Sequence, residues 1–223
     1  MLRTTVDGDV RVLTLDRPAR RNALDRAALR ALSEAIADAT EPVVYLRGAG
    51  EAFCAGADLD VVQALDAAGA ADFAALGQRV ANAFEGYDGA VVAGVDGPAR
   101  GGGVELALAC DLRVATPAAT FAETGVKLGL FGAWGGTTRL PRIVGAGTAM
   151  DLALSGRTVD AETALRMGLV SRVTDTPRDV ADELAAVDHR ALRTLKRRLR
   201  DDSDQQTGDE REREAFAELV ESG

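Results

Sequence analysis

Residues 90–112 read AVVAGVDGPARGGGVELALACDL, and this stretch decides the fold. Residues 90–95 form an unbroken apolar run of strand length, residues 96–103 a glycine-rich turn, and residues 104–109 the start of a helix built from small and apolar side chains. The same outline appears upstream. Residues 42–46 read as a β-branched and aromatic strand, residues 48–58 carry glycines, and an Ala-rich helical region follows to about Phe84, with Gly69 and Gly77 expected to interrupt it. Earlier still, residues 10–15 alternate as a strand. Arg17, Pro18 and Asn22 break it before a helical pattern at Leu24, Ala28, Leu32, Ala35 and Ile36, with Asp25 in the capping position. Repeated strand, glycine turn and helix units imply an α/β layered core.

Downstream, a short strand is expected at residues 112–115, then a glycine-rich region at 125–136 and helices near 137–143 and 148–154. Asp160 can cap a helix over 161–167 that Gly168 ends, and residues 169–173 read as a strand. From Pro177 the chain is helical and strongly charged, with residues 200–214 expected as a solvated loop and helix face. The expected division is a core domain over residues 1–175. Residues 176–223 are then a helical region that is part of the same domain or a trimerisation appendage.

Composition narrows the function classes. The 223 residues carry 35 Asp plus Glu against 26 Lys plus Arg, a net charge of -9, and the lysines are Lys127 and Lys196. Nucleic acid is an unsuitable partner for such a surface. An Asp-rich, Lys-poor chain fits either a GC-rich genome or a salt-loving cytoplasm. Cys54 and Cys110 are too few for a disulfide scaffold, and with His189 as the single histidine no Cys/His metal cluster is expected. The N-terminal residues alternate like a strand, and no apolar run reaches about 18 residues. The expectation is a cytoplasmic protein without metal or membrane partner.

Conventional nucleophile chemistry fails on inventory. There is no GxSxG, and His189 sits in a basic helical run with Arg190, Arg193 and Lys196. Residues 97–103 lack the Lys-Ser/Thr of a phosphate loop. A glycine turn feeding a helix instead presents unpaired backbone N–H groups, which can hold a developing oxyanion. Glu105 lies one turn into that helix, flanked by Val104 and Leu106. Burial there raises a carboxyl's pKa and suits it to general acid/base work, against the alternative of an exposed helix glutamate.

With these residues in place the chain resembles the crotonase, or enoyl-CoA hydratase/isomerase, superfamily. The resemblance runs through LDRPARRNAL, LRGAGEAFCAGADL, VAGVDGPARGGGVELALACDLRVA, LGLFGAWGGTTRLPRIVG and SGRTVDAETALRMGLVSRV, from about Val10 to Val173. It implies the crotonase fold of stacked ββα units with a C-terminal helical region, a homotrimer or dimer of trimers, and an acyl-CoA thioester substrate. No permanently bound cofactor is implied, coenzyme A being part of the substrate. The amides of Ala57 and Gly102 match those that hold the thioester oxygen, and Glu105 matches the first hydratase glutamate. Ala55 matches a backbone contact to the adenine, Arg20 and Arg21 match contacts to CoA phosphate or ribose, and Asp58 follows the first amide. Ala23, Gly56, Leu59, Gly101, Gly125 and Trp134 complete the implied substrate-binding set.

Two departures qualify the implied activity. The second hydratase glutamate belongs in a segment aligned with Phe121 to Gly129, where Gly125 occupies its place. Glu123, two residues earlier, is the candidate second acid/base, and the dehalogenase carboxylate falls near Ala133. The C-terminal region is also expected to be shortened, with Glu212 and Phe216 matching the last family segment. The run from Arg190 to Arg200 is either an amphipathic helix with Ala191, Leu192, Leu195 and Leu199 inward or an approach to CoA phosphates. The resemblance therefore implies an enzyme with Glu105 as its general acid/base, performing double-bond isomerisation or hydration of an enoyl-CoA. Acyl-CoA decarboxylation, thioester hydrolysis and a non-catalytic acyl-CoA-binding subunit are the alternatives.

Overall fold

The computed structural model describes residues 2–221. Met1, Ser222 and Gly223, which the expected 1–175 and 176–223 division includes, lie outside the described residues. β1 (Leu2–Asp7) and β2 (Val10–Leu15) make an antiparallel hairpin turned at Gly8. Three crossovers then add parallel strands. α1 (Arg26–Ala37) leads to β3 (Val43–Gly48), and α2 (Leu59–Gln63) with α3 (Ala67–Glu85) leads to β4 (Ala90–Val95). β5 (Pro98–Arg100) and α4 (Gly102–Leu108) precede β6 (Leu112–Ala115), which pairs with β4.

The remaining chain supplies β7 (Thr120–Ala122), α5 (Gly136–Val144), α6 (Ala146–Ser155), β8 (Val159–Asp160), α7 (Ala161–Arg166) and β9 (Arg172–Val173). The helical end is α8 (Pro177–Ala185), α9 (His189–Leu199) and α10 (Gln205–Glu221). Strand order in the large sheet is β1-β2-β3-β4-β6-β9, and a small sheet runs β5-β7-β8. The chain thus steps from β4 to β5 and from β6 to β7, one strand in each sheet, before turning into helix. This is the stacked ββα pattern expected from the sequence.

Period-two alternation on the central strands divides the core. Val44, Leu46, Val91, Ala93 and Val95 face the helical layer of α1, α3 and α4, whereas Val43, Tyr45, Ala90 and Val92 face Val180 and Ala181 of α8. Asp25 caps α1 by accepting from the Ala28 N–H at 2.8 Å, and Asp160 caps α7 by accepting from Thr163 at 2.7 Å.

Three local expectations are corrected. α3 runs unbroken through Gly69 and Gly77, because a Cβ at Gly77 would lie 2.2 Å from the Trp134 indole, whose packing there requires the missing side chain. The strand expected at 169–173 contracts to β9, since Leu169 and Val170 donate their N–H groups to the Ala164 carbonyl and close α7. On α9, Leu192 packs against the α8-side core, but Leu195 and Leu199 are exposed rather than inward. Lys196 fastens this helix instead, donating to the Tyr87 and Gly89 carbonyls and pairing with Asp111 at 2.8 Å.

Candidate active site

Two glycine turns meet beneath the helical layer. On the first, residues 54–58 lie as a rung between two neighbours: Cys54 bridges Ala99 of β5, and Ala57 bridges Leu24. Leu24 donates to the Gly56 carbonyl at 2.8 Å, and Asp58 donates to the Leu24 carbonyl at 2.9 Å. Both bonds to Leu24 are thus used by the residues flanking Ala57. Extended backbone alternates its donors, so the Ala57 N–H points to the opposite edge. Gly56 makes this approach feasible with φ of +86°, and a Cβ there would lie 2.5 Å from the Arg100 carbonyl oxygen and 2.9 Å from the Gly102 nitrogen. Gly102 opens α4, where a first-turn N–H has no intrahelical acceptor. Among the described residues no acceptor is bonded to either amide.

Asp58 anchors this rung. It is 3% exposed, caps α2 through the Asp60 N–H, and accepts from Arg17 Nη1 at 2.7 Å and Arg20 Nη2 at 2.9 Å. Burial pushes its carboxyl up, but the two guanidiniums and the Asp60 amide outweigh burial and hold it below the usual carboxylate value. Asn22, also buried, donates to the carbonyls of Ala49 and Ala52 and accepts from the Arg17 N–H, bracing the turn that leads into Cys54.

Glu105 is 1% exposed on α4. Its Oε1 accepts from the backbone N–H groups of Trp134 and Gly136, both at 2.7 Å, and among the described residues Oε2 has no hydrogen-bond partner. Gly132 and Gly136 provide the room: a Cβ at either would come within 2.7 or 2.8 Å of this carboxyl group. Burial drives the Glu105 pKa above its ordinary value, against the opposing pull of the two amides and the Arg139 guanidinium. Arg139 is itself buried, donating to the Trp134 carbonyl and to Glu85 and Asn82 of α3, so it fixes the segment that grips Glu105.

A cavity of about 190 Å3 opens over these groups. Of the residues singled out from the sequence, Ala55, Ala57, Leu59, Gly101, Gly102, Glu105, Gly125 and Trp134 line it. Gly56 and Asp58 support it from below, while Arg20, Arg21 and Ala23 lie off its lining, Arg20 turned to Asp58 and Asp60. Glu123 faces a neighbouring cavity. Gly125 is closely covered: a Cβ there would sit 3.0 Å from Phe131 Cα and 3.1 Å from the Leu130 carbonyl oxygen, so the loop has closed over the position. His189 bonds the Ala185 carbonyl at 2.8 Å on α9, outside this cavity. Arg17, Asn22, Gly132, Gly136 and Arg139 were not legible as site residues. Their roles run largely through backbone and side-chain contacts with residues far along the chain, and the one local signal is the strand-breaking turn that holds Arg17 and Asn22.

Two unpaired amides on residues that line one cavity, with a buried carboxylate beside them, can polarise a carbonyl and move a proton on the adjacent carbon. The fold and this arrangement define an enzyme class that works on activated carbonyl compounds. The chain belongs to the enoyl-CoA hydratase/isomerase family, whose model matches residues 5–221. It is 38% identical over 186 residues to crotonyl-CoA hydratase of Syntrophomonas wolfei, covering 81% of this chain and 71% of that one. It is 36% identical to short-chain-enoyl-CoA hydratase of Clostridium acetobutylicum, covering 81% and 73%. The crystal structure of enoyl-CoA hydratase from Bacillus anthracis superposes with a TM-score of 0.93 at 30% identity, covering 99% of this chain and 91% of that one. The crotonase fold expected from the sequence is therefore the fold observed. Among the described residues no helix is long and apolar enough to cross a membrane.

Proposed function

We propose that the protein acts on an enoyl-CoA by moving a proton beside the thioester carbonyl. The Ala57 and Gly102 N–H groups donate to the thioester oxygen and stabilise the enolate, while Glu105 Oε2 takes a proton from one carbon and returns it to another. The double bond shifts, and the carboxylate ends as it began. The observation that carries this reading is the arrangement of Glu105: one oxygen held by two amides, the other open to the cavity that both unpaired N–H groups border.

Hydration is the second reading, favoured by the names of the relatives. In it Glu105 alone would deliver the elements of water across the double bond, since Gly125 offers no carboxylate. Coenzyme A enters as part of the substrate rather than as a resident cofactor. Ala55 meets its adenine through the backbone and exposed Arg20 and Arg21 meet its phosphates. The enzyme works as a cytoplasmic homotrimer or dimer of trimers.

The test incubates purified protein with crotonyl-CoA and with a 3-enoyl-CoA, following hydration and conjugation separately. Conjugation without hydration is expected, and Glu105→Gln should lower it by about 100- to 10,000-fold while CoA binding persists. Hydration at a comparable rate would replace the isomerase reading with the hydratase one. A parent enzyme inert on both would favour the non-catalytic binding subunit.

A further inference from the structure

Trp134 is the single tryptophan of the chain, and it touches two of the residues assigned to the site. Its backbone N–H donates to Glu105 Oε1 at 2.7 Å, while the benzene edge of its indole lies on Gly102, where a Cβ would come within 2.3 Å of Cζ3. The pyrrole side of the ring rests on Gly77 in the middle of α3, where a Cβ would lie 2.2 Å from both Cδ1 and Nε1. Two missing side chains, one on α3 and one on α4, thus leave a slot that the indole fills, and Phe73, one turn before Gly77, meets it edge-on at 5.8 Å. The segment that carries the ring is pinned to α3 as well. Gln78 donates to the Ala133 carbonyl at 2.9 Å, and Arg139 joins the Trp134 carbonyl to Asn82 and Glu85. A methyl group at residue 77 is therefore not absorbed by lifting this segment away. Its displacement passes through the ring to Gly102 or through the N–H to Glu105.

Resting on the reading that the Gly102 amide and Glu105 work on one thioester, we propose that Gly77 is a positioning residue for that site: it seats the Trp134 indole so that the ring and the N–H of one residue fix the spacing between amide and carboxyl. Gly77 is not in the lining of the Glu105 cavity, whereas the indole in front of it is. Its influence runs through Trp134. With a methyl group at residue 77 the ring must recede from 2.2 Å to an ordinary contact of at least 3.4 Å. A reacting group misplaced by about 1 Å can lose about 100-fold in rate, so a shift of this size reaches the chemistry. Alanine is the better helix former, so any loss at this position comes from the ring and not from α3 itself.

Acetoacetyl-CoA tests the proposal without a double bond to move. The carbon between its two carbonyls gives a proton to Glu105 Oε2, the electron pair of the broken C–H bond passes to the thioester oxygen, and the bound enolate is read by its near-ultraviolet absorbance. In Gly77→Ala the ratio of bound enolate to bound keto form should fall about tenfold or more, while butyryl-CoA binding changes by less than about threefold and the Trp134 emission becomes more open to quenching by acrylamide. In Trp134→Ala, which keeps the N–H at residue 134 but empties the slot, the ratio should also fall, and adding Gly77→Ala should then cost nothing further. The proposal is overturned by an unchanged ratio or unchanged emission in Gly77→Ala, by a full enolate signal in Trp134→Ala, by a Gly77→Ala penalty that persists without the ring, or by a wild type that binds the probe only in its keto form. A wild type that holds the enolate yet fails to conjugate a 3-enoyl-CoA keeps this positioning role and loses the isomerase reading.

Discussion

Glu105 and Glu123 are both withdrawn from water, yet their surroundings give them different work. Glu105 has two N–H groups on Oε1 that support its charged form, whereas among the described residues no hydrogen-bond donor or cation pairs with Glu123. As the proposed proton acceptor Glu105 must be ionised, so kcat/KM should fall on acidification through a pKa above the ordinary glutamate value, an acid limb read directly from a pH profile. Glu123 has a thermodynamic signature instead. Its carboxyl titrates near 8 in the folded chain against 4.5 for the unperturbed group. Below 4.5 both states hold the proton; between 4.5 and 8 only the folded state does, so its contribution to stability is lost as pH rises through that window. Glu123→Gln removes the dependence. Its melting temperature relative to wild type should climb between pH 5 and pH 8, by about 2–4 °C for each kcal/mol relieved, and a pH-independent difference would count against a buried neutral carboxyl.

At the scale of elements, the proposed oxyanion-binding geometry rests on a short rung rather than on a long helix or strand. Residues 54–58 are held by single bridges to Leu24 and Ala99 and by the Asp58 clamp to Arg17 and Arg20. Asp58→Ala should lower kcat about tenfold or more by loosening the Ala57 amide, and should cost about 2–3 kcal/mol, since both guanidiniums keep contact with water. Steady-state kinetics and denaturant unfolding check the two effects. An unchanged kcat with lowered stability would make the clamp purely structural. The contrast with what the sequence reveals follows from the same geometry. β2 and β4 were legible because alternation and apolar runs are local, and ordered motifs singled out Glu105, Ala57 and Gly102, which line one cavity. The grip of Trp134 and Gly136 on Glu105 was not legible, because it joins groups 29 and 31 residues apart through backbone amides that any residue carries. The continuity of α3 past Gly77 was hidden for a similar reason, since the Trp134 ring that fills the gap lies far along the chain.

At the scale of the whole molecule, apolar surface is unevenly placed. The core facing α8 is closed, but α9 and α10 border a groove of about 1120 Å3 lined in part by Leu195, Leu199, Phe216 and Leu219. Leu199 and Phe216 are 79% and 72% exposed, and Met150 and Leu154 on α6 are exposed as well. Soluble monomers seldom leave contiguous apolar patches of this kind uncovered, and self-association into a closed ring covers them at every copy by one repeated contact. The proposed trimer therefore predicts a solution mass about three or six times the 23.2 kDa chain by light scattering. Leu199→Glu with Phe216→Glu should shift that mass toward the single chain, because each buried carboxylate would face an apolar partner without compensation. Neither residue lines the Glu105 cavity, so the dissociated chain reports whether chemistry needs assembly. A wild type that sediments as a single chain would remove the trimer and leave the groove without a claimed partner, whereas an assembled double variant would place the contact on another face.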